Sequence, residues 1–369
     1  MGPLARAAAG GAGGSPAGSR LGGGTGGLRG PAAALSRELS RPGCRMKLLR
    51  VLLLVLGVVF LGVLVATNDP AAILAAITGL SWRLAVVAVF PFVLVTTFDT
   101  LGWRYAFLRD RVPFRRLLAM RIAGEAFNLT TPTASLGGEA IKAWLLRRHV
   151  SLDEAVLSVV VAKTTITLAQ GLFLLLGVVV AWMAGLPNSS LLHGMMWLLT
   201  LEVLALVGFV VAQMRGLFGP VQRWLARIGL RLARHTETGA RVDRGLVRFY
   251  REEPRRLMLS IAFHFVAWLL GVVEAFLALR FLGVPVSLTT ATIIEAFGTA
   301  VRFATFLVPA SVGAQEGGYV VTFVALGLPA STAVAFGLAR RAREILWIVV
   351  GFVIFALVRD HPRPDVRDR

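Results

Sequence analysis

Thr131-Pro132-Thr133-Ala134-Ser135-Leu136-Gly137-Gly138-Glu139 interrupts a largely apolar stretch over residues 117–146. Proline and paired glycines break a helix and leave backbone N–H and C=O groups without helical partners. A second stretch, 287–328, is broken in the same way at Val308-Pro309-Ala310-Ser311-Val312-Gly313-Ala314-Gln315-Glu316-Gly317-Gly318. Proline and glutamate stand seven residues apart in both, and the strings are offset by 177 residues. Repetition at constant spacing marks a fold built from copies of one unit.

The match continues without a gap. Glu139 is followed after 24 residues by Lys163, and Glu316 after 24 by Arg340. Upstream, Glu125 lies seven before Pro132 and Arg302 seven before Pro309. Val112-Pro113 and Val284-Pro285 extend the match if five residues are inserted in the second copy. The halves span 104–184 and 276–358.

Of 369 residues, 56% are hydrophobic and 16% charged, with a mean hydropathy of +0.73. Soluble domains run nearer 45–50% apolar and about 25% charged, so lipid must supply the missing solvent. Runs at 48–67, 84–103, 155–184, 191–214, 257–281 and 331–358 read as spans. Pro91 marks a kink, and 71–80 reads as a short interfacial helix. The expected fold is an all-α integral membrane protein with about six full spans. Two broken or re-entrant helical hairpins, arranged as an inverted repeat, complete it.

Basic residues set the orientation. Segment 215–256 carries eleven arginines against Glu237, Asp243, Glu252 and Glu253. Segment 104–121, the run Lys142/Arg147/Arg148 and the tail 359–369 are basic too, whereas 185–190 and 282–286 carry no charge. The positive-inside rule then places both termini in the cytoplasm, in an inner (plasma) membrane, and the two copies face opposite ways. Segment 215–256, with Trp224, Leu225, Ile228, Leu230 and Leu232 among its arginines, reads as amphipathic and lying on anionic lipid. Residues 1–45 read as a disordered basic Gly/Ala-rich tail, 46–359 as one transmembrane domain and 360–369 as a cytoplasmic tail.

Several function classes fall away. The net charge of +19 comes with no zinc-finger, helix-turn-helix or RNA-binding signature, so nucleic acid is not an expected partner. Cys44 is the only cysteine, and the five histidines lack metal-ligand spacing, so no metal is expected. With no Walker A loop, HExxH or Ser-His-Asp order, neither an enzyme nor a cofactor is expected.

The intramembrane charges carry the functional signal. Lys163 lies roughly 12 Å into its span, near the middle of a ~30 Å core. Arg340, beside Arg341 and Arg343, lies at similar depth from the opposite side. A cation at mid-helix costs about 2.5–3.5 kcal/mol if it faces lipid, so each requires a partner or a cavity. Glu344 is placed to pair with Arg340 and Arg341, and Glu125, Glu139, Glu202, Glu274, Glu295 and Glu316 are further partners. Singly, these residues read equally well as structural salt bridges. Together, Lys163, Arg302, Arg340, Arg341 and Arg343, with Glu125, Glu139 and Glu316, read as a midplane substrate site for an anion. The breaks at Pro132, Gly137, Gly138, Pro309, Gly313, Gly317 and Gly318 add freed N–H groups. The guanidinium fork suits phosphate.

The string from Phe127 to Glu139 resembles the first signature of the lysylphosphatidylglycerol synthetase/flippase-like transmembrane family. Val308 to Gly318 resembles its second, and Arg340-Arg341-Ala342-Arg343-Glu344 stands where that family has a basic motif in its last long helix. The Gly313-Ala314-Gln315-Glu316-Gly317-Gly318 form is most similar to the hopanoid-biosynthesis-associated branch. The resemblance covers 48–359 and implies a flippase-like translocase moving an anionic phospholipid, polyprenyl-linked or hopanoid-type lipid between leaflets. It also implies an alternative, a non-transporting membrane partner of lipid- or hopanoid-synthesising enzymes. Membrane lipids, and under the alternative such enzymes, are the expected partners. No counterpart of the bifunctional members' synthetase domain is read in these residues, so aminoacyl transfer is not expected of them.

Overall fold

The computed structural model describes residues 70–79, 81–109, 112–131, 136–186, 189–216, 219 and 236–359, with scattered helical positions between 52 and 67. The tail 1–45, Pro132, the apolar residues 224–232 and the tail 360–369 lie outside the described residues. No strand occurs among the described residues. The helices are α1 (Pro70–Gly79), α2 (Ser81–Arg104), α3 (Phe114–Thr130), α4 (Gly137–Leu146), α5 (Leu152–Met183) and α6 (Ser190–Met214). There follow α7 (Thr236–Glu252), α8 (Pro254–Phe281), α9 (Leu288–Ala304), a 3-10 turn (Pro309–Ser311), α10 (Ala314–Ala325) and α11 (Ala330–Arg359).

Local chemistry sets several of these starts. Ser151, Ser189 and Ser287 each precede a helix and accept a hydrogen bond from the N–H three residues on, which caps α5, α6 and α9. Asp153 and Glu154 add negative charge at the positive end of α5. Pro254 opens α8, where a missing N–H costs nothing.

The 177-residue offset reappears as architecture and reaches further upstream than the sequence match. Helix α2 ends at Arg104 and α8 at Phe281, while α4 begins at Gly137 and α10 at Ala314. Both α3 and α9 have 17 residues, but α9 starts three residues early and the break after it is three longer. A three-residue shift therefore replaces the expected insertion of five, because the longer break restores the phase. Each copy is thus a set of four helices, α2 to α5 and α8 to α11.

The packing respects the repeat. Within the copies α3 packs on α4, and α9 on α10. Between them α3 packs on α11, α9 on α5, and α2 along α8. Exchanging the copies maps each of these contacts onto its counterpart, although that of α2 with α5 has none of like extent between α8 and α11.

Among the described residues, four helices are long and apolar enough to cross a membrane: 85–104 of α2, and α5, α6 and α8. The expected span at 331–358 is one helix of 30 residues, but it carries Arg340, Arg341, Arg343 and Glu344. Helices α4 and α10, at roughly 15 and 18 Å by their length, are too short to cross a ~30 Å core alone. Trp197, Leu204, Val207 and Val211 leave α6 apolar and exposed, as a lipid-facing helix requires.

Three expectations change. Lys142 is not a surface charge of the cytoplasmic set: it is 4% exposed, because α4 packs between α3 and α5. In the described part of segment 215–256 the apolar face is turned into the protein. In α7, Val242, Leu246 and Phe249 are buried in one core cluster with Trp103, Phe107 and Leu157, since that apolar face meets α5 and α8. Gly317 and Gly318 break nothing: α10 runs through both, and Gly318 instead gives room to Val301 on α9.

Two glycines hold the crossed contacts between copies. A Cβ at Gly177 in α5 would strike that of Ala296 in α9, and one at Gly351 in α11 would lie 2.6 Å from Ala126 Cβ in α3. Gly208 on α6 faces open space. Gly177→Leu and Gly351→Leu should each cost about 1–3 kcal/mol by overpacking. Their melting temperatures in detergent should fall well below that of Gly208→Leu.

Candidate functional site

Where the two copies meet, residues of α2, α3, α4, α5, α8, α9, α10 and α11 enclose a cavity of about 430 Å³. Its wall carries six cations, Arg121, Lys142, Lys163, Arg302, Arg340 and Arg343. It also carries six carboxylates, Asp99, Glu125, Glu139, Glu274, Glu295 and Glu344. Six against six leaves no formal net charge. Aromatic residues, among them Phe92, Trp268, Phe303, Phe306 and Trp347, complete the lining.

The second copy supplies a continuous ion-pair network. The Arg340 guanidinium takes both oxygens of Glu295, tying α11 to α9, and also donates to the Tyr319 hydroxyl at 3.1 Å. Its Nε lies 3.7 Å from Glu274 of α8, which also receives Arg343. Arg302 bridges Glu344 and the Gln315 carbonyl oxygen, the latter at 2.7 Å. Gln315 in turn donates to Tyr319 at 2.7 Å. Isolated ions in such a place would cost several kcal/mol each, and close pairing removes most of that penalty.

The break in the second copy is held by the same charges. Ala310 and Ser311 both sit at φ 49°, a left-handed conformation that costs non-glycine residues on the order of 1–3 kcal/mol. Arg341 donates to the Ala310 carbonyl at 2.8 Å and pairs with Glu316 and Glu344, each at 2.6 Å. The Glu316 carboxylate accepts the Gly313 N–H at 2.8 Å, and Gly313 takes φ 78°, open to glycine without strain. Arg341 and Glu316 therefore brace the turn from behind, outside the cavity wall.

The first copy is wired more sparsely. Asp99 accepts from Arg121 on one oxygen and lies 2.8 Å from His264 Nδ1 on the other, which joins α2 and α3 to α8 of the second copy. Lys142 donates to Glu139 at 3.0 Å and stands 6.0 Å over the Trp103 ring. Asn128 donates to Glu139 at 3.2 Å and accepts the Gly138 N–H at 2.8 Å. Gly138 cannot take a side chain, because the Gly124 carbonyl and Asn128 already fill that space.

Of the residues singled out in the sequence, Lys163, Arg302, Arg340, Arg343, Glu125 and Glu139 line this cavity, and Arg341 and Glu316 stand behind it. Gly137 and Gly138 open α4, Pro309 begins the 3-10 turn and Gly313 caps α10. Glu344 serves Arg341 and Arg302 rather than Arg340, whose fork faces α9 instead. Glu202 takes no part: it is buried on α6, with neither oxygen hydrogen-bonded. Asp99, Arg121, Lys142, Asn128, His264, Gln170 and Gln315 went unnamed as site residues in the sequence. The i,i+3 spacing of Glu139 and Lys142 was a signal. Nothing along the chain connects Asp99 with His264.

The sequence is similar to known proteins along most of its length. The sequence profile described as "Lysylphosphatidylglycerol synthase TM region" matches residues 48–352. A protein described as "UPF0104 membrane protein", from Methanothermobacter thermautotrophicus, is 22% identical over 331 residues, covering 85% of this chain and 96% of the relative. No solved structure matches the chain significantly.

The pairing sorts the cations by what their removal does. Arg340→Met leaves Glu295, 4% exposed, without its partner and should cost about 3–5 kcal/mol. Lys163 has no hydrogen bond or ion pair to its side chain among the described residues, so Lys163→Met should change stability by less than about 1 kcal/mol. Thermal unfolding of both variants in the same detergent checks the contrast.

Proposed function

The chain belongs to the lysylphosphatidylglycerol synthase TM-region family, and from that premise we propose that it translocates a membrane lipid between leaflets. The observation that carries this reading is the charged cavity of about 430 Å³ between the two copies, inside helices whose outer faces are apolar. Charged groups so placed serve a passing polar group better than they serve stability, since a buried ion pair seldom outperforms an apolar packing. The headgroup crosses through this cavity while the acyl or polyprenyl tails remain in the bilayer. Phe306 and Leu307, exposed and also lining the cavity, are the side on which tails leave. Anionic phospholipids, polyprenyl-linked lipids and hopanoid-type lipids are the candidate substrates. No covalent step belongs to this reading.

In it the copies are inverted, with substrate held at the midplane and each side opened in turn by rocking one copy against the other. Both termini and the basic segment 215–256 lie in the cytoplasm, at an inner membrane. The pairwise exchange of contacts between copies supports this arrangement.

Two measurements test the proposal. Reconstituted into liposomes, the protein should move fluorescently labelled anionic phospholipid between leaflets faster than protein-free liposomes do. Rates no higher than in protein-free liposomes would refute translocation and favour the non-transporting partner of lipid-synthesising enzymes. With Cys44 replaced by Ser, Leu152→Cys and Pro329→Cys, both exposed and 177 residues apart, should be labelled from opposite sides of oriented vesicles. Labelling of both from one side would refute the inversion.

A further inference from the structure

The cavity's charges do not pair completely, and the remainder has a pattern. Five cations are bonded: Arg121 to Asp99, Lys142 to Glu139, Arg302 to Glu344, Arg340 to Glu295, and Arg343 to Glu274. Five of the six wall carboxylates are consumed in the same way. One cation and one carboxylate remain, Lys163 on α5 and Glu125 on α3. Lys163 has no ion pair among the described residues, although it acts on Glu139 electrostatically. Glu125 has no ion pair either, accepting one long hydrogen bond of 3.5 Å from Asn128, although it interacts electrostatically with Arg121 one turn away.

The repeat bears on why these two are left over. At the 177-residue offset Lys163 corresponds to Arg340, fully paired in the second copy, whereas on α9, which starts three residues early, Glu125 corresponds to the uncharged Thr299. The carboxylates that serve Arg340, Glu274 and Glu295, correspond in the first copy to Thr97 and, with the three-residue shift of α9, to the cation Arg121. Glu344, which serves Arg302, corresponds to Thr167, and Gln315 to Gly138. The first copy therefore keeps the cation at Lys163 without the carboxylates that neutralise it in the second, and adds at Glu125 a carboxylate that the second copy lacks. Both side chains are half-buried and face the same cavity. One helical turn and two turns beyond Lys163, Thr167 and Gln170 line the same wall, and the Gln170 amide has no hydrogen-bond partner among the described residues.

We infer that the binding half is the first copy and that its ligand is a zwitterion. Lys163 and Gln170 take the phosphate of the headgroup, and Glu125 takes an ammonium group on the same molecule. The second copy, with its counter-charges already in place, is the fixed half. A purely anionic headgroup satisfies Lys163 but leaves the Glu125 carboxylate facing added negative charge. A headgroup of zero net charge satisfies both and preserves the six-to-six balance of the wall. This rests on the translocation reading and narrows its substrate from an anion to a phosphate that also carries an amine.

The test uses soluble headgroup probes on the full chain in detergent, so that binding is read apart from transport. Glycerophosphoethanolamine should bind at least about tenfold more tightly than glycerol 3-phosphate by calorimetry, the size of one charge-assisted hydrogen bond. Glu125→Gln should erase that preference, Glu125→Asp should keep part of it, and Lys163→Gln should weaken both probes. Unchanged melting temperatures would show that the variants fold. Equal binding of the two probes, binding of neither, or an undiminished preference in Glu125→Gln would overturn the inference. Liposome transfer separates the two readings. Equal transfer of ethanolamine and glycerol phospholipids, insensitive to Lys163→Gln and Glu125→Gln, would overturn this inference and leave translocation standing. Selective binding without any transfer would leave the site and remove the translocation.

Discussion

The Arg340 guanidinium laid across both oxygens of Glu295 joins α11 to α9 in the interior of an otherwise apolar bundle. A charge at that depth is costly unless it meets a partner or a polar cavity, so the charges constrain what stands opposite them. From that constraint follow the approach of α8 through Glu274, the seating of Arg302 on Glu344, and the hold of Arg341 on the turn at Ala310. Backbone strain at Ala310 and Ser311 is tolerable only because the surrounding ion pairs and the Gly313–Glu316 bond over-determine the turn.

The two copies meet this constraint differently. In the second, Arg302, Arg340, Arg341 and Arg343 each have a carboxylate, and the helices around the cavity are bound into one block. In the first, apolar contacts do more of the work: Trp103, Phe107, Leu117, Leu145 and Leu146 are buried almost completely around α2, α3 and α4. A half held by dispersion and shape has fewer directional bonds to break than one held by ion pairs. That difference makes the first copy the natural place for charges left to a ligand. Asp99 and His264 lie between the halves, where α2 runs along α8.

Much of this was legible along the chain. Hydropathy showed a bilayer protein, because 56% hydrophobic residues cannot be hidden otherwise, and the Pro/Gly strings showed two broken hairpins. The repeat was visible where it carries rare residues, at Pro132 and Pro309, Glu139 and Glu316, Lys163 and Arg340. It was invisible in α2 and α8, where an apolar helix constrains residue type so little that two copies share no signature. Lys142 looked like one more basic residue near Arg147 and Arg148, since only the packing of α4 between α3 and α5 buries it.

The sequence by itself determined which residues are charged, how deep in the apolar runs they fall, and that two copies place them at matching positions. Those facts are local, fixed by composition and spacing. Only the tertiary structure decided which charges neutralise one another, because Glu274 and Glu295 reach Arg340 from helices distant in the chain, and His264 reaches Asp99 across 165 residues. It also decided that the cavity is balanced rather than cationic, and that Lys163 and Glu125 are the two charges of its wall without an ion pair. The physical reason is that Coulombic pairing depends on separation in space, while a linear chain records only separation in sequence.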